Sequence, residues 1–334
     1  GGGISGMTVA LELAQSGIPF TLIEKESSLG GLSASFCCKA SESCNKCFAC
    51  VVDKRISEIH QRQDISILTQ TEVTGVKGNG GKHQVTLKRG KERIDLEVPA
   101  VVIAAGINPF DASQKVEYGY GRYKNVITAK DLDEMLRFRG SLSRPSDGKL
   151  PKTIAFFQCV GSRDESIGNL YCSQVCCAYA LRLIKAIRHP YPEVKAAFLY
   201  MDIQPAGASF RQFLDSCRED KGIRLIRSLP SKVYHSPLSD TLRVRFIDPE
   251  RGGVVEDLFD LIVLSVGMVL SKQARHLTEL FGLNLTEDGF IAPPPHESGV
   301  FVTGACSGPK GIDRSILHAK SAAFLVQQHL RERS

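Results

Sequence analysis

The chain opens on a glycine pattern that constrains the fold more strongly than any other part of the sequence. Residues 1–6 read Gly-Gly-Gly-Ile-Ser-Gly, an instance of G-x-G-x-x-G. Apolar residues then recur at helical spacing as far as Gln15, and an apolar run at 18–23 leads into Glu24. A glycine turn, a helix, a strand and an acid in this order predict a βαβ unit that binds a dinucleotide.

Each part of this pattern has a physical role in holding a pyrophosphate. Gly1 permits the tight turn, Gly3 lets the backbone approach the phosphates, and Gly6 lets the helix pack closely on the sheet. The helix N-terminus offers unpaired N–H groups and the positive end of its dipole. Glu24 is placed to accept hydrogen bonds from ribose hydroxyls. Because the sequence begins at the turn, we expect the first strand of this domain to be missing.

Two further parts of the sequence complete the same domain. Alternating residues predict short strands before the middle of the chain, with a turn at 78–81, and these strands are 65–68, 73–77, 83–89 and 93–98. A buried strand follows at 100–106. Near the C-terminus, a strand at 299–304 leads into a helix that begins near Ile312. The helix N-terminus is placed to stabilise negative charge on a reduced flavin.

Flavoproteins with two dinucleotide domains are built in this order, so we expect an α/β fold with two Rossmann-like domains. The FAD-binding domain is expected to be discontinuous, at 1–111 and 284–334. A charged linker is expected at 112–150, and a central domain at 151–283.

The 11 cysteines point to metal chemistry. All except Cys217 and Cys306 fall in two tight groups, whereas a secreted disulfide scaffold is short and spreads its cysteines. Metal or cluster ligation in a reducing compartment, the cytoplasm, fits better. The net charge of +6 is spread without a basic run, which argues against nucleic acid as a main partner. The apolar stretches are too short to cross a bilayer.

One cysteine group lies where the central domain would hold a nucleotide. A strand at 153–157, a helix at 171–188 and a strand at 196–201 predict a βαβ unit, but its turn lacks G-x-G-x-x-G. Instead, Cys159 ends the strand, and three cysteines are expected in the first turns of the helix. These are Cys172, Cys176 and Cys177. Cys172 and Cys176 would share a helix face.

Four converging thiolates suit a [4Fe–4S] cluster or a structural zinc ion. A helix N-terminus lowers the pKa of nearby thiols and so favours such an anionic ligand set. A disulfide is a weaker interpretation, since a bridge between adjacent Cys176 and Cys177 would be strained. Buried free cysteines that act as small apolar side chains are the remaining alternative.

The other group contains C-x-x-C-x-x-C, formed by Cys44, Cys47 and Cys50. This spacing is typical of iron–sulfur ligation, and Cys38 or Cys37 would have to complete the set. Zinc and a redox-active pair near the flavin compete with that interpretation. We expect Cys38 as the fourth ligand of a possible second [4Fe–4S] cluster.

These motifs resemble one family over nearly the whole chain. Segment 158–165, Gln-Cys-Val-Gly-Ser-Arg-Asp-Glu, and segment 171–177, Tyr-Cys-Ser-Gln-Val-Cys-Cys, are similar to the A subunit of heterodisulfide reductase and its short relatives. Segments 199–203, 260–268 and 307–312 are similar to family segments as well. The resemblance implies FAD, a thioredoxin-reductase-like fold, iron–sulfur clusters and electron transfer inside a multi-subunit complex.

On the family's pattern, Cys159, Cys172, Cys176 and Cys177 carry over as [4Fe–4S] ligands. The residues expected to contact FAD are Gly1, Gly3, Gly6, Glu24, Lys25, Gly31, Val73, Ala105, Gly106, Gly304, Lys310, Gly311 and Ile312. The implied partners are subunits of the B and C kind or ferredoxin-type electron carriers, in a homo- or hetero-oligomer.

The sequence also departs from the family. Ferredoxin-type C-x-x-C-x-x-C-x-x-x-C-P modules do not appear, so electrons are expected to leave through a partner. Arg182 replaces a lysine, which puts electron bifurcation in doubt, and a solvated helix face is the simplest interpretation of this position. Ala305 and Cys306 stand where related flavoproteins have an acid after Gly304.

Two other functions stay open at this point. One is a stand-alone pyridine-nucleotide disulfide oxidoreductase, and the other is a zinc-binding scaffold protein of such a complex, without enzymatic activity.

Overall fold

The computed structural model describes residues 1–79, 82–204, 210–236 and 239–333. Within them the helices are, in chain order, α1 (Ile4–Gln15), α2 (Ala49–His60), α3 (Ala129–Arg139), α4 (Cys176–Arg188), α5 (Phe210–Glu219), α6 (Lys272–Leu280) and α7 (Ile312–Arg331). Among the described residues, no helix combines the length and apolar character needed to cross a bilayer.

The strands occur singly and in runs between these helices. In chain order they are β1 (Phe20–Ile23), β2 (Ile65–Leu68), β3 (Thr71–Asn79), β4 (Lys82–Arg89), β5 (Glu92–Val98), β6 (Val101–Ile103), β7 (Asn108–Pro109), β8 (Val126–Thr128), β9 (Thr153–Val160), β10 (Lys195–Tyr200), β11 (Ile223–Arg227), β12 (Lys232–Ser236), β13 (Thr241–Asp248), β14 (Gly253–Phe259), β15 (Leu261–Val266), β16 (Met268–Val269) and β17 (Val300–Val302).

The chain forms two compact units, each from separate stretches of sequence. The first unit consists of Gly1–Ala34, Phe48–Asn108 and Val269–Ser334. The second consists of Ser35–Cys47 and Pro109–Met268. The α/β fold class predicted from the sequence is confirmed.

The first unit contains the parallel pairs β1–β2 and β6–β17 and an antiparallel meander, β3–β4–β5. The meander and the return of the C-terminal strand agree with the sequence pattern, although the predicted turn at 78–81 extends into residues outside the described part. Helix α1 packs its apolar residues in two directions. Met7 and Leu11 contact the cluster of Leu22 and Val52, while Val9 and Leu13 contact the α7 side. Helix α1 is buried on nearly all sides, as expected for a helix whose apolar residues are not confined to one face.

The second unit is built on a parallel sheet in the order β11-β10-β9-β15-β8. Its central strands are apolar on both faces, as expected for a sheet covered on both sides. Helix α4 covers one face with Leu181, Leu183 and Ile184. The antiparallel sheet β12-β13-β14 supplies apolar residues to the other core cluster.

The helix predicted at 171–188 begins only at Cys176, so the expectation that Cys172 lies on it was wrong. Gln174 has a left-handed backbone (φ 61°), which interrupts a helix. The preceding Ser173 is held by a side-chain contact, since its hydroxyl accepts a hydrogen bond from Met268 N–H at 2.9 Å. Cys172 therefore lies in the loop before α4.

The domain boundaries also differ from the expected ones. Segment 112–150, expected as a linker, contains β8 and α3, and β8 pairs with β15 in the second unit. Thr128 and Asp131 form a capping box at the start of α3, a signal that the sequence analysis missed. Residues 269–283, expected in the central domain, belong to the first unit because Leu270 and Ala274 pack with its strand residues.

The core around β9 should dominate the stability of the second unit. Phe156 is fully buried, so Phe156→Ala removes an aromatic side chain and leaves a cavity. We expect the free energy of unfolding to fall by about 3–5 kcal/mol in urea titrations followed by circular dichroism. Phe138→Ala is the matched control, since that side chain is 71% exposed, and a change above about 0.5 kcal/mol there would contradict the assignment.

Candidate functional site

The opening turn of the first unit is tightly packed at two of its three pattern glycines. A Cβ added at Gly6 would lie 1.9 Å from the carbonyl oxygen of Gly1, and one at Gly1 would lie 2.6 Å from that of Ala104. At Gly3, the nearest heavy atom would be 4.0 Å away, on Gly31. The protein itself thus requires glycine at positions 1 and 6, whereas the space beside Gly3 is open to a ligand.

Glu24 holds this turn in place. It is buried, and its Oε2 accepts a hydrogen bond from Gly2 N–H at 2.5 Å. Its Oε1 accepts one from Glu26 N–H at 2.9 Å. The carboxylate therefore ties the end of β1 to the glycine turn, a structural role in addition to the predicted ribose contact. Each oxygen keeps a further acceptor site for such a hydroxyl.

The C-terminal segment reaches the same place. Gly304 has φ 78°, and a Cβ there would lie 2.3 Å from Ser5 Oγ on α1. Its N–H donates a hydrogen bond to His318 Nδ1 on α7 at 3.2 Å. Lys310 Nζ donates to Gly304 O, Ser307 Oγ and Gly308 O at 3.0–3.2 Å, which fixes the loop before α7. The two ends of the chain thus meet at the N-terminus of α1.

Burial and charge lower the pKa of two basic groups, one in this loop and one on α7. Burial lowers the pKa of Lys310, and burial together with the charge of Lys310 lowers the pKa of His318. His318 and Ser5 had no predicted role. Both contact Gly304, which is distant in sequence, and nothing near either residue in the sequence indicates that contact.

The remaining residues expected at FAD take varied positions in the first unit. Gly31 lies against Gly3, with 3.1 Å between its added Cβ and Gly3 Cα. Ala105 and Gly106 follow Ala104, the first residue after β6, whose carbonyl oxygen faces Gly1. Lys25 is exposed and pairs with Glu26 at 3.4 Å. Val73 lies half-buried in β3, and Gly311 caps α7 before Ile312. Their contact with FAD stays a prediction.

In the second unit, the four central cysteines gather around the carboxyl end of β9 and the start of α4. Cys159 has φ 59°, an uncommon backbone for a residue that is not glycine. Cys172 Sγ accepts a hydrogen bond from Gln174 N–H at 3.3 Å. The Cys176 thiol donates to Val266 O at 3.6 Å, and the Cys177 thiol donates to Asp202 O at 3.8 Å.

The four thiols are close enough to act on one another electrostatically. Burial, followed by the charge of Cys177, raises the pKa of Cys159 to about 11, with Cys172 adding to the shift. Burial, then Cys177, Cys159 and Cys172, raises the pKa of Cys176 further. Burial also raises the pKa of Cys177, and Cys172 contributes. Cys159 is therefore not remote from the other three.

The thiols do not converge on a single point, however. Over the described ranges, no three cysteine, histidine or acidic side chains lie close enough together to hold one metal ion. A tetrahedral zinc site with bonds of about 2.3 Å brings its sulfur atoms to about 3.8 Å from one another. The described residues therefore do not form a ready-made single-ion site.

The N-terminal cysteines are more exposed. Cys38, Cys44 and Cys50 are exposed, and Cys37 and Cys47 are half-buried. Burial and the adjacent Asp133 carboxylate, to which the thiol is hydrogen-bonded, raise the pKa of Cys37 to about 12, and Cys47 adds to the shift. Cys37 therefore faces into the second unit. Cys50 lies in α2 of the first unit, whereas the other four lie on the 35–47 segment.

Two arginine side chains of the second unit form hydrogen bonds close in sequence to the central cysteines. The Arg163 guanidinium pairs with both oxygens of Asp202, at 2.6 and 2.9 Å, and its charge opposes the upward pKa shift of Cys159. Arg182 is half-buried, and its Nε donates to Asn45 O at 2.7 Å. The expectation of a solvated helix face for Arg182 was therefore wrong, because the 35–47 segment packs against α4.

The chain resembles known proteins in both fold and sequence. Residues 1–129 match the family model described as pyridine nucleotide-disulphide oxidoreductase. Thioredoxin reductase from T. acidophilum has a TM-score of 0.65 at 14% identity, with 100% of this chain and 97% of that chain covered. The fold is therefore that of the thioredoxin-reductase-like flavoproteins, as predicted.

The sequence relatives are more specific. The chain is 32% identical to an iron-sulfur A subunit of the CoB–CoM heterodisulfide reductase of Methanopyrus kandleri, over 97% of this chain and 62% of the relative. It is 30% identical to the A subunit of the ferredoxin/F(420)H(2)-dependent CoB–CoM heterodisulfide reductase of Methanosarcina acetivorans, over 99% of this chain and 52% of the relative. The chain is thus homologous over nearly its whole length to heterodisulfide reductase A subunits, which confirms the predicted relationship. It spans less than two thirds of these relatives.

A substitution in the opening turn tests the packing described above. In a helix, Gly→Ala normally stabilises by about 1 kcal/mol, but a Cβ at Gly6 would collide with the carbonyl of Gly1. We expect Gly6→Ala to lower stability by about 1–3 kcal/mol, measured by calorimetry on the full chain. Gly253→Ala, with no atom within 4 Å of its added Cβ, should leave the transition unchanged. A stabilised Gly6→Ala variant would refute the close approach.

Proposed function

We propose that this chain is an FAD- and [4Fe–4S]-containing electron-transfer subunit of a heterodisulfide-reductase-like complex. It would pass electrons between flavin and clusters to a partner that performs disulfide or sulfur chemistry. The observation that carries the proposal is the gathering of four mutually interacting thiols where a dinucleotide domain has its phosphate turn. Partners of the B- and C-subunit kind or ferredoxin-type carriers, and a cytoplasmic location, belong to the same proposal.

The opening turn fits the dinucleotide part of FAD. Open space beside Gly3 meets the N-terminus of α1, which has no side-chain cap, so its first N–H groups can bind a pyrophosphate. Glu24 would accept a ribose hydroxyl, and Lys310 with the N-terminus of α7 would supply positive potential nearby. FAD, when bound, supplies the exchange between two-electron and one-electron chemistry.

The relatives named as iron-sulfur A subunits favour a cluster over zinc at the central thiols. A [4Fe–4S] cluster attaches each thiolate to a different iron atom, so its ligands stand further apart than those of a single ion. The four thiols act on one another electrostatically, and all four lie near the carboxyl end of β9 and the start of α4. The start of α4 adds its dipole and unpaired N–H groups, which favour a negatively charged ligand set.

The Arg163–Asp202 pair argues against a stand-alone pyridine-nucleotide reductase. Asp202 follows β10, the position from which a dinucleotide domain hydrogen-bonds the ribose of its ligand. Here both carboxylate oxygens are held by the guanidinium at 2.6 and 2.9 Å. Cysteines stand where the glycines of the phosphate turn would be. We expect no rapid flavin reduction by NADH or NADPH alone.

The central cluster is tested by a pair of cysteine variants. Cys176→Ser removes one proposed ligand, whereas Cys217→Ser changes a cysteine buried in the apolar core of the same unit. After anaerobic reconstitution with iron, sulfide and FAD, we expect Cys176→Ser to lose iron and the EPR signal of one cluster while it keeps the flavin absorption. Cys217→Ser should match the unmodified chain. No flavin bands and no cluster signal in the unmodified chain, or stoichiometric zinc without iron, would refute the proposal.

The N-terminal group offers a second ligand test. Cys37 faces Asp133, while Cys38 is exposed, so Cys38 is the proposed ligand. In a Cys176→Ser background, the remaining iron would belong to the N-terminal group. Cys38→Ser should then reduce the iron per chain to near zero, and Cys37→Ser should leave it within about a third of the parent. The reverse result would assign the ligand to Cys37.

A further inference from the structure

A buried ion pair fixes the N-terminal cysteine segment within the second unit. Lys39 Nζ lies 2.6 Å from Asp133 Oδ2, and the two side chains are 1% and 0% exposed. Lysine is almost never this deeply buried unless it is paired. An apolar pair of similar volume would often be equally stable or more so, which makes a buried pair a candidate device for structural specificity.

Within the described part of the chain, the other side-chain contacts of this pair are with two elements, the 35–47 cysteine segment and α4. Asp133 Oδ1 accepts the Cys37 N–H at 2.7 Å, and Oδ2 accepts the Tyr179 hydroxyl at 2.6 Å. Lys39 Nζ donates to Cys37 O at 3.1 Å. It also lies 5.3 Å from the centre of the Phe36 ring and 5.0 Å from that of Tyr179, within cation–π range of both.

The far end of the segment is held as well. Asn45 Nδ2 donates to Lys39 O at 2.8 Å, which closes the loop between them. Asn45 O accepts the hydrogen bond from Arg182 on α4. Cys44 lies between Lys39 and Asn45, Cys38 directly precedes Lys39, and both are exposed. The segment is thus a closed loop that presents thiols outward from a fixed base.

Helix α4 connects the two cysteine groups. Tyr179 and Arg182, which contact the 35–47 segment, lie on the helix that begins with Cys176 and Cys177. At 1.5 Å of rise per residue, both residues lie within about 8 Å of Cys177 along the helix axis. One helix therefore carries the central ligands at its N-terminus and the base of the N-terminal loop on its side.

We propose that Lys39 is a positioning residue for the N-terminal cysteine group, acting through Asp133 and Tyr179. Residues behind metal ligands orient them, and their loss lowers metal affinity. The assignment of these cysteines as ligands rests on the proposed function, but the anchoring of the loop does not. The two are therefore tested by separate measurements.

The anchoring is measured by cysteine alkylation in the reduced full chain without added metal. Iodoacetamide labelling is followed residue by residue with mass spectrometry. Lys39→Met should raise the labelling rate of Cys37 at least tenfold, while Cys217, buried elsewhere in the second unit, keeps its slow rate. Lys130→Met is the matched control, because it breaks the half-buried pair with Glu134 on the same helix α3 and should leave the labelling rate of Cys37 unchanged.

Tyr179→Phe keeps the test decisive if Lys39→Met opens the whole unit. It removes one hydroxyl from Asp133 and keeps the ring, so it should raise the Cys37 rate several-fold with Cys217 unaffected. If Cys37 and Cys217 accelerate together in Tyr179→Phe, or if Cys37 stays slow in both variants, the positioning role is overturned.

Iron content separates this proposal from the proposed function. In the reconstituted Cys176→Ser background, Lys39→Met should lose at least half of the remaining iron, whereas Lys130→Met should keep it. An unmodified chain that binds no iron would refute the cluster and leave the labelling result to decide the role of Lys39. Full iron retention in the Lys39→Met chain would refute positioning and leave the cluster standing.

Discussion

The central constraint on this protein is the convergence of a strand end and a helix start in a parallel βαβ unit. In such a unit the carboxyl end of β9 and the N-terminus of α4 must meet at one edge of the sheet. Related folds place glycines there, because a phosphate needs bare backbone. This chain places sulfur there instead, and Cys159 and Gln174 adopt left-handed backbones at this turn. The same geometry that would cradle one anion can therefore hold a larger anionic group.

The two cysteine groups differ in how the fold treats them. Cys176 and Cys177 are buried, so a thiolate at either position would need a nearby positive charge to offset the cost of burial. Cys38 and Cys44 are exposed on a loop whose base is buried. Regular secondary structure places Cys159, Cys176 and Cys177, whereas the loop at 35–47 is held by one buried ion pair and two side-chain contacts to backbone oxygens.

Much of this could be predicted from local sequence. The glycine turn, the meander, the returning strand and the central cysteine motif each follow from residues close together in the chain. The predictions were wrong where distant residues decide the outcome. Helix periodicity extends back to Tyr171, but Met268 N–H bonds to Ser173 and draws that stretch into a loop. Nothing near Lys39 in the sequence indicates a partner at position 133, and charge at 112–150 resembled a linker although Thr128 caps a helix there.

The path of the chain between the two units has a consequence for biosynthesis. Residues 35–47 leave the first unit, join the second and return, yet the partners of this segment are Asp133 and α4. A ribosome releases the N-terminal cysteines long before it makes those partners. Until α4 has been translated, the thiols of segment 35–47 lack the side-chain contacts that hold the loop. They are then open to oxidation or to binding of an unintended metal ion. Loading of that group would then be a late event that follows translation of the second unit.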